Sequence, residues 1–545
     1  MTEVVEYRRY RAPAESGQTL VEPTSVTLPD LVARNGQRLK AVNYDFQGRT
    51  LADLAAAARR GLAAAAIRYT REYRDAPRSV AAAGSIDTRP LIVSGHQPQL
   101  FHPGVWFKNF VLGRLANQVG GLGVHLLIDS DLCRSASIRV PTGTVDDPRV
   151  EAMPYDRHAG DIPFEERPIV DDAAIETFAD RTAAMIEPFV ARPVLETLWR
   201  YVLRPTHRER TLGHCLARGR HTLEAEWGND TLELPQSAVC RLPEFHWFVA
   251  HLLAQLPRFQ TAHNAALASY RRAHRLRNQA HPVPDLIELD GWLEAPFWLW
   301  TKDDPRRRGV FARQQGDQLL VTDRGLHTFA LPLSADGSAE SAAEQLAGLA
   351  AGGLKIRTRA LATTLFARLL LCDLFIHGIG GAKYDQVTDE ITSRFFNFRL
   401  PEFATATATL RLPIQHPPAD IEEWRALRRQ FRELRYHPER FLGADSSCLA
   451  DPSSVAGALV AEKLRWVETP KTPANSRERH LAIQSANTAL QSHVTAIREQ
   501  LLHRIDDLER RRRVNAILDS REYSFCLYPQ ETLQRHLLDG TPPIP

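Results

Sequence analysis

Pro90-Leu-Ile-Val-Ser-Gly-His-Gln-Pro-Gln-Leu-Phe-His-Pro-Gly104 is the stretch on which the reading of this chain turns. Its first six residues form a short apolar run closed by a glycine, the pattern of a buried strand. Pro103 is pre-set for a first helical turn, and Val105-Trp-Phe-Lys-Asn-Phe-Val-Leu-Gly-Arg-Leu-Ala116 continues that helix. A second apolar run, Gly123-Val-His-Leu-Leu-Ile128, ends at Asp129-Ser-Asp131. Strand, loop, helix and strand make a βαβ unit, and open α/β sheets take ligands at the carboxyl ends of such strands. The expected class is α/β with a nucleotide-binding core.

Outward from this unit, residues 1–48 mix prolines with short apolar pieces and read as an irregular lead-in. Leu51, Leu54, Ala58 and Leu62 share one helical face within a helix over 50–72, and Ala81-Ala-Ala-Gly-Ser85 reads as a linker. Residues 170–280 are mainly helical in pattern. Residues 281–335 change to extended segments, including the block Trp292–Trp300 and a hairpin joining Val310–Arg313 to Gln318–Thr322 through Gln-Gln-Gly-Asp317. A helix over Thr358–Leu371 leads to Asp373-Leu-Phe-Ile-His377 and a glycine loop. Near the end, Ile483, Leu490 and Ile497 recur every seven residues, interleaved with Val494, Leu501 and Leu508 as a coiled-coil seam. These read as one helix over 476–510. Residues 421–442, with Trp424, Leu427, Phe431 and Leu434, supply an antiparallel partner, and an ordinary helical bundle is the alternative. The expected division is 1–89 lead-in and helix, 90–169 first part of the core, and 170–350 connecting region. Then come 351–415 as second part of the core, 416–515 as helical hairpin arm, and 516–545 as tail.

A chain of 545 residues is too long for one ordinary domain. No apolar run approaches the roughly 20 residues that cross a bilayer, and the amino-terminus lacks a signal-peptide pattern. A cytoplasmic protein with no membrane partner is expected. The net charge of +3 carries no general attraction to nucleic acid, so no nucleic-acid partner is expected either. The arginine runs Arg306–Arg308 and Arg510–Arg513 read as solvated helix faces. The six cysteines are scattered without a C-x-x-C pair, which suggests buried small hydrophobes, with only Cys133 in a segment of functional interest.

Three segments can carry chemistry. In the first, a loop running into a helix N-terminus aims backbone N–H groups at one spot and suits an anion. His96 and His102 flank that loop, Gln97 and Gln99 add neutral donors, and Lys108 follows. The plainer reading is that the histidines cap the helix or bond a neighbouring loop. In the second, Asp129 and Asp131 at a strand end can hold Mg2+ or orient an amine, or else cap the following turn. In the third, His377-Gly378-Ile-Gly380-Gly381-Ala-Lys383-Tyr384-Asp385 combines three glycines with a cation, a hydroxyl and a carboxylate. Such glycines let backbone approach a ligand closely or take positive φ. The candidate catalytic residues are therefore His96, His102, Asp129, Asp131 and His377. The candidate cofactor-binding residues are Gly95, Gln97, Gln99, Lys108, Gly378, Gly380, Gly381, Lys383, Tyr384 and Asp385. No metal ligands are assigned. Glu294 with Trp298–Trp300 could form an aromatic wall, and Asn264, Tyr270 and Arg271 read as surface or interface groups.

In order and spacing these segments resemble the bacillithiol-biosynthesis cysteine-adding enzyme family over roughly residues 90–530. The resemblance rests on the Gly-x-Gln loop running to Lys108, the acidic cluster at Asp129 and Asp131, the helix bearing Arg359 before Gly378-x-Gly-Gly381, and the closing Arg521-Glu-Tyr-Ser-Phe525. It implies a Rossmann-like core with inserted connecting domains, an antiparallel coiled-coil arm, and a ligase joining cysteine to a glucosaminyl-malate; a homodimer through the helical arm is a separate expectation. The resemblance also implies carboxylate activation, which requires a nucleotide or another activated donor; an adenine nucleotide (ATP or ADP) with Mg2+ is the expected cofactor. The chain departs from the family at His96, where a glutamine is usual, and at Ser130–Cys133, where the family carries a histidine. Residues 94–131 also resemble WbqC-like proteins, which would imply transfer onto a nucleotide-linked amino sugar. A non-catalytic dimeric ligand-binding protein is the third expectation.

Overall fold

The computed structural model describes residues 7–77, 80, 89–204, 211–442 and 454–540. It divides into two compact units, one of residues 1–142, 150–413 and 521–545, the other of 143–149 and 414–520. The linker read at Ala81–Ser85 and Cys448 lie outside the described residues. The fold is mixed α/β.

The first unit is built on a six-stranded sheet. Its strands are β1 (Thr19–Glu22), β2 (Leu91–His96), β3 (Leu122–Leu127), β6 (Leu232–Pro235), β13 (Leu374–His377) and β14 (Ala404–Ala408). Their order is β1-β14-β13-β2-β3-β6; all neighbours are parallel except β1, which runs antiparallel to β14. Strands β3, β13 and β14 are buried throughout, as a parallel sheet covered on both faces requires. Between β3 and β6 lie the hairpin β4 (Ser137–Gly143) and β5 (Pro148–Pro154) and three helices.

Helix α1 (Leu28–Lys40) and β1 fall in the segment expected to be irregular. Leu28, Leu31, Val32, Asn35 and Leu39 are buried at helical spacing, a signal obscured by the surrounding prolines. Helix α2 (Leu51–Arg71) buries the expected Leu51, Leu54, Ala58 and Leu62, and the Thr50 side chain caps it by accepting from Asp53 N–H. It packs in one core with Val93 and Val124 of the sheet. On the opposite sheet face lies α3 (Pro103–Gln118): Gly123, which alternates with Val124, sits 3.2 and 3.3 Å from Ala116 and Leu112 of α3 at its Cβ position.

Further along come α4 (Asp172–Ile186), α5 (Leu195–Val202), α6 (Leu212–Glu226), α7 (Pro243–Ala254) and α8 (Leu256–His274). A second, antiparallel sheet follows in the order β11-β10-β9-β8-β12, with β7 (Glu288–Leu289) on β8. Its strands are β8 (Trp292–Thr301), β9 (Arg308–Gln315), β10 (Gln318–Thr322), β11 (Thr328–Leu331) and β12 (Leu354–Thr358). The expected four-residue turn closes to two, because Gln315 pairs with Gln318 across Gly316 at φ +57°. Helix α9 (Glu340–Ala351) precedes β12.

The helix expected over Thr358–Leu371 is a correction. Thr358 ends β12, the helix α10 is only Ala360–Phe366, and Ala367–Leu371 widen into a π-helical turn. The apolar run is buried whole, so helical and extended pieces were not separable by periodicity. Helix α11 (Ile379–Phe395) starts directly after β13 and leads to β14, placing Val387, Ile391 and Phe395 in the core shared with α2. The chain thus leaves β2 towards β3 and leaves the adjacent β13 towards β14. The strand order reverses between them. Helix α16 (Gln530–Asp539) closes this unit.

The second unit contains α12 (Ile421–Tyr436), α13 (Val455–Glu468), α14 (Ser476–Leu490) and α15 (Thr495–Leu518). Gln491 bonds Leu434 O at 3.1 Å while Glu509 accepts from Trp424 at 3.2 Å, so α12 runs antiparallel to α15. Leu427, Leu434, Val494, Leu501, Ile505 and Leu508 form its core. The single helix expected over 476–510 is broken at Gln491–Val494 by a 3-10 turn. Arg510 and Arg511 of the arginine run pair with Asp507 on the α15 surface.

Candidate functional site

Beyond β2, β3 and β6 lies a cavity of about 280 Å3, at the carboxyl ends where α/β sheets take ligands. Gln97, the first residue after β2, donates to Asp131 Oδ2 at 3.0 Å. Asp131 Oδ1 accepts from Leu132 N–H at 2.8 Å and from Arg307 Nη1 at 3.1 Å. After β6, Gln236 accepts from Ser130 at 2.8 Å and donates to Thr358 and Thr363 at 2.8 and 3.2 Å.

The opposite wall comes from the second sheet. Trp298 projects from β8 beside a bulge and lies between two guanidiniums, Arg359 at 4.1 Å and Arg307 at 5.0 Å from the ring centre. Arg359 also donates to Glu294 Oε1 at 2.6 Å. The Nε–H of each arginine is buried with no acceptor. Burial pushes Arg307 below the usual guanidinium range, Asp131 opposes the shift, and Arg134 and Arg359 add to it. This wall therefore holds positive charge in partial desolvation. Ile128, Pro284, Leu286 and Leu361 make the remainder apolar.

One wall is held from behind. Asn264 on α8 exchanges two hydrogen bonds with Leu286, at 2.8 and 2.9 Å. Arg271, buried rather than at the surface as expected, donates to His281 O, Val283 O and Asp285. Together they lock the segment that presents Val283, Pro284 and Leu286 to the cavity.

Of the candidate catalytic and cofactor-binding residues, Gln97 and Asp131 line this cavity and the others do not. His96 is 6% exposed, packed against Phe101 and His125 with ring centres 4.1 and 4.2 Å away. Its Nδ1 meets Gln97 O at 2.9 Å, and burial first, then His125 and Lys108, hold it well below its ordinary value. Lys108 is buried, donates to Gly95 O, and is pushed down to about 7 by burial and then by Arg220. His125 belongs to a buried polar layer in which Arg220 pairs with Glu224 and Glu233, and Trp106 and Asn109 donate to Glu224.

The helix α3 N-terminus is a correction: it is not an open anion cradle. Pro103 has no N–H, Gly104 N–H is accepted by His102 Nδ1 at 3.1 Å, and Val105 N–H by His102 O at 3.0 Å. His102 is thus a cap, with Glu522 3.8 Å from its outer nitrogen. Gln99 N–H closes a turn on Gln97 O. Asp129 is also structural. It accepts from Ser237 N–H and hydroxyl at 2.9 and 2.5 Å, with His214 at 3.7 Å, and these contacts outweigh burial to hold it low.

The glycine segment is helical, and none of Gly378, Gly380 and Gly381 takes positive φ. Gly381 is needed because a Cβ there would lie 2.6 Å from His377 Nδ1, whereas Cβ atoms on Gly378 and Gly380 would meet nothing within 4 Å. His377 Nε2 bonds Asp385 at 2.8 Å, and Asp385 pairs with Arg368 at 2.7 Å. Burial acts to raise the Asp385 carboxyl, but Arg368 and His377 hold it low. Lys383 is exposed, and Tyr384 packs edge-on against His281.

No family model matches the chain, and no curated protein matches it. The site must therefore be judged by its own chemistry. Sequence reading missed Arg307, taken as part of a solvated helix face. It lies just before β9 and lines the cavity, while Arg308, the first residue of that strand, pairs with Asp304. The aromatic wall is half present: Trp298 lines the cavity, but Trp300 is fully buried and bonds Glu166. The five described cysteines are buried, and burial raises the Cys133 thiol. Among the described residues no helix is long and apolar enough to cross a membrane.

Proposed function

We propose that the chain is a ligase-like enzyme forming a carbon–nitrogen bond, joining a cysteine-like amino acid to an amino-sugar conjugate in the 280 Å3 cavity. One observation carries this reading: a carboxylate, Asp131, shares the cavity with two guanidiniums whose buried Nε–H groups lack acceptors. Amide formation needs a carboxyl group held in place and an amine oriented towards it. Arginine matches a carboxylate with parallel N–H donors, so Arg307 and Arg359 hold the acid. Asp131 and the Gln97 carboxamide are placed to accept from the amine.

On this reading the sheet with its reversal between β2 and β13 is a Rossmann-like core, and the helices of the second unit form the antiparallel coiled-coil arm of a homodimer. A phosphate group would bind at the start of α11, where a Cβ on Gly378 or Gly380 would meet nothing within 4 Å and a ligand has room beside the backbone. An adenine nucleotide held there, with Lys383 in reach, would supply the activation that makes amide formation favourable. A resident Mg2+ does not fit. Asp129 is occupied by the Ser237 N–H and hydroxyl, and among the described residues no group of three His, Cys, Asp or Glu could hold a metal.

The test is to incubate the chain with ATP, cysteine and glucosaminyl-malate and to follow product and nucleotide by mass spectrometry. The expected outcome is an amide product with nucleotide consumption. Arg359→Ala should weaken substrate binding by about 1.5–3 kcal/mol, a charged hydrogen bond's worth, and should also lower melting, because it leaves Glu294 unpaired. Absence of both product and nucleotide turnover overturns the reading.

A further inference from the structure

We propose that the chain carries a second ligand site, for linked phosphates, in a cavity of about 490 Å3 at the carboxyl end of α8 walled by Arg271, Arg272, Arg275 and Arg277. The charge is what points to an anion. Asp285 is the carboxylate in that wall, and Arg271 already engages it at 2.8 Å. Arg272 touches only the Ser269 hydroxyl, at 3.2 Å, and among the described residues the Arg275 and Arg277 guanidiniums have no acceptor. Three positive charges therefore face one concavity without a counter-charge.

A helix carboxyl end attracts cations, which accounts for an arginine or two in the last turn. It does not account for four around one cavity, where they repel one another. Arg275 also holds a left-handed backbone, φ +54°, at a cap position that glycine takes without steric cost. Arg9 and Lys383 extend the positive field: after burial, both hold the neighbouring His274 imidazole down. Guanidinium forks match phosphate oxygens, and several forks around one cavity suit a ligand with several linked charges. The ligand class is an oligophosphate, either free or as the tail of a nucleotide. The site is separate from the 280 Å3 cavity, so it stands or falls independently of the ligase reading.

Calorimetric titration of the full chain with inorganic tripolyphosphate, and in parallel with ATP, tests this. Saturable tripolyphosphate binding is expected, falling steeply with salt and weakened about tenfold or more in the Arg275→Ala/Arg277→Ala double variant. The Arg275→Lys/Arg277→Lys variant should recover part of it, and Arg359→Ala should leave it unchanged. Arg275 and Arg277 are exposed, so melting of their variants should not move. ATP binding tighter than tripolyphosphate, with the same arginine dependence, identifies a nucleotide tail; equal binding identifies free oligophosphate. No saturable tripolyphosphate binding, binding that the alanine double variant retains, or binding that Arg359→Ala abolishes overturns the proposal.

Discussion

Lys108 shows how far burial overrides residue type. The sequence places a lysine one to two turns into α3, which suggests a charge reaching a ligand. In the fold its ammonium is buried under the end of β2, donates to Gly95 O and titrates near 7. The folded pKa lies below the unfolded one, about 10.4. Between these values the unfolded chain binds the extra proton, so stability contributed by this group rises with pH. Below about 7 both states are protonated and the full burial penalty remains. The expected outcome is that wild type gains stability relative to Lys108→Met as pH rises from 7 towards 10, and that the difference is flat below 7. Denaturant melts of both proteins at several pH values measure it. A difference independent of pH would mean that Lys108 keeps its ordinary value.

At the scale of the element, the junction of β13 and α11 contains three glycines with different reasons to be glycine. A Cβ on Gly381 collides with the His377 ring, which Asp385 and, through it, Arg368 hold in place. Gly381→Ala should therefore cost about 1–3 kcal/mol, as overpacking of a fixed site does. Gly378 and Gly380 have open space and ordinary φ. Alanine at Gly380, inside the helix, should leave stability unchanged or raise it by up to about 1 kcal/mol. If the start of α11 receives a phosphate group, Gly378→Ala and Gly380→Ala should weaken nucleotide binding while melting holds. Thermal melts with and without ADP separate these effects. A Gly381→Ala protein as stable as wild type would show that His377 can move.

For the whole molecule, the two units have separate apolar cores, and units with their own cores can unfold separately. Leu501 is 7% exposed within the smaller core. Leu501→Asp buries an unpaired carboxylate there, at a cost of several kcal/mol. Calorimetry should show one transition lowered and a second near its wild-type temperature, with ligand binding in the first unit preserved. A single transition that moves as a whole would show the units to be one cooperative body.

The sequence by itself determined the features that depend on near neighbours. The βαβ unit at 90–131, the buried face of α2 and the seven-residue recurrence through Val494, Leu501 and Leu508 are periodic patterns, and periodicity is a local property. Long-range burial decided the rest. His96 and Asp129 carry the groups of a catalytic site, yet the sheet seals one against Phe101 and His125 and uses the other to anchor Ser237. Arg307 and Trp298 are unremarkable in one dimension. They become one wall because the segment entering β9 brings the Arg307 guanidinium to 5.0 Å from the centre of the Trp298 ring on β8. Gln97, Asp131, Arg307 and Arg359 share one cavity across more than two hundred residues of chain because parallel strands bring Gln97 and Asp131 to one edge and the antiparallel second sheet brings Arg307 and Arg359 opposite them. Which polar groups keep an unsatisfied donor there depends on what each neighbour consumes, and that is fixed by packing.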